Sequence, residues 1–334
     1  MIRFSARRGV SPTIAPEESI GSATPPVPDG QGVLRVVRVS RAEVRGSAMD
    51  ELFAARRRVQ GPGRVPGLCG AVLHVAGWFV LWQEGPEAVI EAALKPPARG
   101  RHAVPRVLHR SFGPRTLQEP LVLSTTQWLE GPVPFERRIE AVATAPSMRP
   151  QDIWRVLSEP CTLTPSTVLP DLDRRFGLLA SDDQRAIERA RQLADHFNRP
   201  LVYRRFADAT PGTSDFGAAY LDLPLSGRPL RVQAVSRRAF GNPLVHEALR
   251  PADRLVLLVG EQSRPALELA AGMATFLQRV GPPAAIEVVA EDAAVGTAVA
   301  DFLRGQVNAG ITLRETAIGE AQLVASLIGV AAAP

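Results

Sequence analysis

Apolar and polar positions follow one pattern in the first half of the chain and another in the second. In the first half, short alternating or apolar runs predict β-strands at 33–40, 71–75, 78–83 and 104–112. Ala76-Gly77 separates the middle two runs and predicts a tight hairpin turn. Apolar residues at helical spacing predict a helix at 48–59 and a second helix after Pro86, because proline is tolerated in a first helical turn. The order β-α-β-β-α-β is that of a ferredoxin-like sheet with two helices on one face.

In the second half, strands alternate with longer amphipathic segments. Strands are predicted at 201–206, 218–223, 229–235, 254–260, 285–290 and 311–316. Helices are predicted at 182–197, 265–280, 293–304 and 320–328, with Ser181 as the N-cap of the first. The run RLVLLVG at 254–260 is apolar throughout, which is typical of a buried parallel strand. This alternation predicts a doubly wound α/β layer.

The predicted fold class is therefore α/β, with an N-terminal ferredoxin-like α+β sandwich followed by a doubly wound α/β domain. A length of 334 residues favours two domains over one. Residues 1–31, rich in Pro, Ser, Gly and Thr, are expected to be a disordered arm. The first domain is predicted at 32–130 and the second at 173–330. Residues 131–172 between them are expected to form a helical extension, with a short helix at 151–158, and a linker.

Composition excludes several classes of protein. The formal net charge is +5, but Lys95 is the only lysine among 39 basic residues, a usage typical of GC-rich genomes. Nucleic-acid binding is not expected, because no basic motif is interleaved with aromatic residues. Cys69 and Cys161 are too few for a disulfide framework or a metal site, so the bacterial cytoplasm is the expected location. No apolar run reaches membrane-spanning length, so membrane insertion is not expected.

Three segments of the first half carry a resemblance to a known family. They read LRVVRVSRA, GLCGAVLHVAGWFVLWQEGP and RHAVPRVLHR. Together they resemble the BLUF family, sensors of blue light using flavin adenine dinucleotide, over residues 33–128. The resemblance implies the same ferredoxin-like sandwich that the periodicity predicts.

The flavin-binding positions implied by that resemblance have changed. The family's tyrosine, glutamine and asparagine beside the flavin fall on Arg38, Leu81 and Gly63. Leucine cannot switch a hydrogen bond, and arginine is a fixed cation without a phenol. Trp78 and Trp82 remain as candidates to stack on a planar ligand; the alternative is that they pack against helices. Flavin is therefore not the favoured expectation for this chain.

Residues 175–330 are similar, more weakly, to bacterial Ras-like GTPases of the gliding-motility type. The likeness rests on TSDFGAAYLDLPLSGRPLRVQAVSRRAFGNPLVHEALRPADRLVLLVG. The phosphate-binding motif is missing, because FGLLASDDQRA has one glycine, no lysine and the two carboxylates of Asp182 and Asp183. Asn and Lys are also missing from 288–292, where base recognition would fall, and Glu291 and Asp292 are expected to begin a helix. GTP is not expected to bind.

No complete catalytic or metal-binding motif occurs in the sequence, so no enzymatic activity, catalytic residue or metal is expected. The leading hypothesis is a non-enzymatic cytoplasmic regulator or scaffold that uses a degenerate BLUF-like domain and a degenerate GTPase-like domain to bind a protein partner. Phe240, Leu244 and Leu249 are the candidate contact residues, and a homo-oligomer is compatible with this hypothesis. The alternatives are a sensor that binds flavin or another planar ligand, and an unorthodox GTP-binding protein.

Overall fold

The computed structural model describes residues 32–42, 48, 51–52, 65–95, 104–117, 121–126, 131–145, 147–160, 174–207, 216–225, 228–250, 252–281, 283 and 285–315. Several predictions lie outside these residues: the arm at 1–31, Gly63, most of the helix at 48–59 and the helix at 320–328. No helix in the described ranges is long and apolar enough to cross a membrane.

The first half contributes five strands and one described helix that follows Pro86. The strands are β1 (Val33–Arg41), β2 (Cys69–Val75), β3 (Trp78–Gly85), β4 (Arg106–Gly113) and β5 (Leu121–Thr126), and the helix is α1 (Glu87–Leu94). They lie side by side in the order β5-β2-β3-β1-β4. The hairpin turn is formed by Ala76 and Gly77 with φ of 50° and 76°. Positive φ at both positions gives a turn whose twist suits a two-residue hairpin.

The second half forms a mostly parallel sheet with helices on both faces. Its strands are β6 (Arg174–Ala180), β7 (Leu201–Ala207), β8 (Phe216–Leu225), β9 (Arg228–Val235), β10 (Arg254–Val259), β11 (Ala285–Ala290) and β12 (Gly310–Glu315). The order is β12-β11-β10-β6-β9-β8-β7, and among these described strands only β8 runs opposite to the others. This arrangement confirms the predicted mixed α/β architecture.

The described ranges contain seven further helices, which cover the sheets. They are α2 (Pro132–Thr144), α3 (Pro150–Ser158), α4 (Arg185–His196), α5 (Arg237–Phe240), α6 (Pro243–Leu249), α7 (Ser263–Val280) and α8 (Ala293–Gln306). Helix α4 packs on one face of the second sheet, whereas α7 and α8 pack on the other. Helices α2 and α3 cover the face of the first sheet that carries Trp82, and Leu244 of α6 joins the same core.

The two sheets are joined edge to edge through β5. Strand β5 pairs in parallel with β2 and antiparallel with β7, where Thr126 lies opposite Arg204. The described strands therefore form one continuous sheet of 12 strands. The sequence predicted no strand at 121–126, because β5 is short, whereas α2 and α3 lie within the helical extension predicted at 131–172. Pro132 stands in the first turn of α2, where its missing N–H costs little.

A buried ionic cluster connects the end of α3 to the second sheet. The Glu159 carboxylate, 1% exposed, accepts hydrogen bonds from Arg231 at 2.6 Å and from Arg175 at 3.1 Å. Arg231 also holds Asp222 through two bonds, at 2.7 and 3.0 Å. Burial alone would lower the pKa of Arg231, but the charges of Asp222 and Glu159 outweigh it and raise that pKa. From α2, Arg138 donates to the carbonyl of Glu159.

We expect Glu159→Gln to lower the free energy of unfolding by about 3 kcal/mol, because Arg231 and Arg175 would stay buried without this carboxylate. Urea unfolding followed by circular dichroism measures the change. Glu268→Gln is the matched control, because Glu268 is half exposed and pairs with Arg264 at the surface. Equal losses in the two variants would contradict a special role for Glu159.

Candidate functional site

Arg38 and Leu81 meet on the face of the first sheet that α1 covers. They lie directly opposite each other in the register of β1 and β3, and Val72 of β2 lies opposite Leu81 on the other side. Leu81 packs with Val72 and Phe79 around Leu52. Burial lowers the pKa of Arg38. The structure thus brings together two of the three positions that the flavin resemblance singles out, while Gly63 lies outside the described residues.

Trp78 and Trp82 belong to the opposite face of the same sheet. Alternate residues of a strand point to opposite faces, so Trp78, Val80 and Trp82 face away from Leu81. Trp82 is 0% exposed, and its ring centre lies 6.0 Å from that of Trp154 in α3. A ligand on the Arg38 face would therefore not stack on either tryptophan. Trp82 packs against a helix, which is the alternative that the sequence left open.

Gly67 and the segment Glu84-Gly85-Pro86 hold the hairpin and the start of α1 together. A Cβ on Gly85 would lie 3.0 Å from the carbonyl oxygen of Gly67, and Gly67 has a φ of +78° that favours glycine. Oε2 of the buried Glu84 accepts the backbone N–H groups of Thr116 at 2.6 Å and Leu117 at 2.8 Å. These residues, shared with the BLUF-like pattern, therefore serve the fold.

Burial raises the pKa of Glu84, although the N–H groups of Leu117 and Thr116 and the charges of Arg35 and Arg115 oppose the shift. Its second oxygen, Oε1, is buried without a hydrogen bond. The folded environment therefore disfavours the charged form of Glu84 more than water does.

A groove lies between α2 and the corner of the first sheet where β1, β3 and β4 meet. Its volume is about 760 Å³, and Trp78, Val39 and Ile139 form its apolar floor. Val104 is 90% exposed and Val133 56% exposed at its borders. The charged side chains that line it are Arg41, Arg106, Glu136, Arg137 and Glu140. The groove was not predicted from the sequence, because no separate bounds for α2 were assigned within the helical extension at 131–172.

The carboxyl ends of β6, β10 and β11 meet at the edge where open α/β sheets bind ligands. Here Arg185, mostly buried, pairs with Asp182 at 3.5 Å and with Glu291 at 2.5 Å. Ser181 is not the N-cap of α4, which begins at Arg185 after Gln184. Instead, the buried Ser181 hydroxyl accepts the backbone N–H of Gly260 at 3.0 Å. Side chains of the protein itself therefore fill this edge.

The neighbouring charges at this edge are also paired. Asp183 contacts Arg238 at 2.9 Å and Arg237 at 3.7 Å. Asp292 is the N-cap of α8 and accepts the N–H of Val295 at 2.9 Å, so the predicted helix-start position is observed. The described residues contain no group of three His, Cys, Asp or Glu side chains that could hold a metal ion.

The structure corrects the candidate contact residues Phe240, Leu244 and Leu249. Their side chains are 4%, 3% and 2% exposed. Phe240 and Leu249 pack in the core beneath α7, and Leu244 packs in the core that contains Trp154. The short helices α5 and α6 turn their apolar residues inward, so these side chains offer no surface to a partner.

Comparison with known proteins gives distant structural likenesses only. BlrB, a BLUF protein in its dark state, is 17% identical over 28% of this chain and 74% of its own, with a TM-score of 0.24. The BLUF domain of BlrP1 is 18% identical over 38% of this chain and 88% of its own, with a TM-score of 0.25. Klebsiella pneumoniae BlrP1 in a manganese and cyclic-diGMP complex at pH 9.0 is 13% identical, covers 89% of this chain and 78% of its own, and has a TM-score of 0.23. No family model and no curated protein matches the chain. The GTPase resemblance finds no support in these comparisons.

We expect the stability of Glu84→Gln relative to the natural protein to increase as the pH rises from 4.5 to 7.5. A raised pKa means that Glu84 stabilises the fold below its unfolded pKa, and that this contribution is lost as the pH rises through its folded pKa. Glutamine keeps an oxygen for the two N–H groups and never ionises. Urea unfolding at the two pH values measures the effect, with Glu87→Gln in α1 as the control. A relative stability that is the same at both pH values would contradict the expectation.

Proposed function

We propose that this chain is a non-enzymatic regulatory or scaffold protein of the bacterial cytoplasm that binds a protein partner in the groove beside Trp78. The observation that carries the proposal is the pair of exposed valines, Val104 and Val133, around an apolar floor. An aromatic anchor and apolar contacts inside a charged rim are the usual anatomy of a protein interface. A group of exposed apolar residues marks an interaction site more often than a single exposed apolar residue does.

The rim and the adjoining strand favour one kind of partner. Arg41, Arg106 and Arg137 outnumber Glu136 and Glu140, and Arg106 is already paired with Glu140. The remaining charge favours a segment with acidic residues. Strand β4 is the edge of the sheet, and its Arg106, opposite Val39, lines the groove. An extended segment of the partner can add to this edge through backbone hydrogen bonds while its apolar side chains enter the groove.

The ligand-binding positions of both resemblances support a role without catalysis. Leu81 and Arg38 supply neither a switchable hydrogen bond nor a phenol on the face where a BLUF protein holds flavin. At the edge where a nucleotide would meet the second sheet, the Arg185 guanidinium is neutralised by Asp182 and Glu291. Asp183 beside them is likewise paired, with Arg238 and Arg237.

We expect the double variant Val104→Asp/Val133→Asp to lose at least about ten-fold in capture of the partner, because two charges would enter an apolar contact. Immobilised protein is incubated with lysate of the source organism, and the bound proteins are quantified by mass spectrometry. Leu267→Asp is the matched control, since Leu267 is an exposed apolar residue on α7, away from the groove. Absence of both self-association and any partner, or equal capture by the double variant, would refute the proposal.

A second candidate is a sensor for a planar, anionic ligand on the Arg38 face. Its supporting observation is the half-buried guanidinium of Arg38 opposite the apolar Leu81. Absorption spectra before and after reconstitution with flavin distinguish the candidates: a yellow protein favours the sensor, and a colourless one favours the scaffold. The antiparallel strand β8 beside β9 is common in mixed sheets and does not distinguish GTPases from other α/β proteins. We expect GTP with Mg²⁺ to leave the melting temperature unchanged.

A further inference from the structure

Three neighbouring strands carry polar side chains into the protein near the seam between the two sheets. Arg204 of β7 and Tyr220 of β8 are each 1% exposed, and Gln233 of β9 is also buried. Tyr220 lies opposite Gln233 on one side and Val202 on the other, and Arg204 follows Val202 by two residues. Because strand residues alternate between faces, all three polar side chains lie on the same face.

Four polar atoms of these side chains have no hydrogen-bond partner in the part of the chain that the structure describes. They are Nε and Nη2 of Arg204, Oη of Tyr220 and Nε2 of Gln233. Burial raises the pKa of Tyr220, with Arg204 opposing the shift, so the phenol keeps its proton at neutral pH. Buried polar groups in native proteins are almost always hydrogen-bonded, and leaving a buried charge unpaired is costly. The grouping of these donors on one face points to a missing acceptor.

Arg231 in the same cluster indicates what that acceptor is. Its Nε and Nη2 hold the two carboxylate oxygens of Asp222 at 2.7 and 3.0 Å. Arg204 presents the same two nitrogens without an oxyanion. The two guanidinium groups lie 5.0 Å (Arg204) and 5.7 Å (Arg231) from the centre of the Tyr220 ring. The Nε and Nη2 atoms of a guanidinium group can bind two oxygens of one carboxylate or phosphate group at the same time.

The charges on this face agree with that assignment. On the sheet itself, the buried or mostly buried guanidinium groups are those of Arg175, Arg204 and Arg231, and the carboxylates that face them are those of Glu159 and Asp222. Among these described strand residues and Glu159, the guanidinium groups outnumber the carboxylates by one. Burial of an unmatched charge is unfavourable, and an anionic ligand would balance it.

We infer that Arg204, Tyr220 and Gln233 form a binding site for an oxyanion, the carboxylate or phosphate group of a small molecule. Arg204 binds it side-on, and Tyr220 and Gln233 donate further hydrogen bonds. The site lies beside the seam, because Arg204 is opposite Thr126 of β5 in the pairing that joins the two sheets. Binding there would stabilise the junction of the two halves, which gives the protein a ligand-responsive element.

The full chain is titrated with inorganic phosphate, pyrophosphate and succinate, each against sodium chloride at equal ionic strength, and the melting temperature is recorded. We expect at least one oxyanion to produce a saturable rise that chloride does not. A rise with phosphate or pyrophosphate alone identifies a phosphate site, and a rise with succinate alone identifies a carboxylate site. No rise beyond that in chloride, for any of the three, would overturn the inference.

Variants locate the effect. We expect Arg204→Met to abolish the response while leaving the anion-free protein as stable as before or more so, because an unmatched buried charge is removed. Tyr220→Phe keeps the ring and is expected to weaken the apparent affinity about five-fold. Arg191→Met is the control, since Arg191 makes the analogous contact with Tyr203 on the other face. If Arg204→Met does not fold, unchanged affinity in Tyr220→Phe rejects the site, as does an unchanged response in Arg204→Met.

Discussion

The interaction on which both halves depend is the buried contact of Glu159 with Arg231. Taking these charges out of water costs several kcal/mol for each ion, and only good geometry with further hydrogen bonds compensates for it. The geometry is present: Arg231 also holds Asp222 bidentately, and Arg175 adds a second cation to Glu159. Because Glu159 immediately follows α3, the cluster fixes the end of a helix whose Trp154 packs against Trp82 of the first sheet. A displacement of α3 would therefore disturb a core and an ion cluster at once.

Local signals predicted most of the individual elements, and non-local pairing explains what the sequence did not reveal. The Ala76-Gly77 turn, the helix after Pro86 and the apolar strand at 254–259 were predictable, because each depends on residues adjacent in the chain. Strand β5 was missed, because its partners are β2, some 50 residues earlier, and β7, some 80 residues later. The cap at Ser181 was predicted wrongly, because its hydroxyl bonds the N–H of Gly260, a contact made only in the folded sheet.

In the candidate site, too, some features were predictable from local sequence and others depend on non-local contacts. The cross-strand pair of Arg38 and Leu81 followed from the two strands that the resemblance aligned. Strand alternation also makes the sheet face of the tryptophans predictable. Trp78 and Trp82 are an even number of residues apart and an odd number from Leu81, so they lie on the face opposite to Leu81. In contrast, nothing local reveals which way the short helices α5 and α6 turn, so Phe240 and Leu249 could not be assigned to the core from sequence. The groove beside Trp78 needs α2 in place, and α2 is ordered by tertiary contacts.

Three buried arginines of this chain serve internal pairing rather than the binding of an acidic partner. Arg138 ties α2 to the end of α3, Arg185 neutralises two carboxylates at the sheet edge, and Arg231 anchors the cluster behind α3. Each is buried and matched by acceptors, so none contributes a cationic surface. Arg204 is equally buried, yet its Nε and Nη2 have no acceptor among the described residues. Arg185 and Arg231 are paired with carboxylates and Arg138 with carbonyl oxygens, so an oxyanion ligand is the corresponding partner for Arg204.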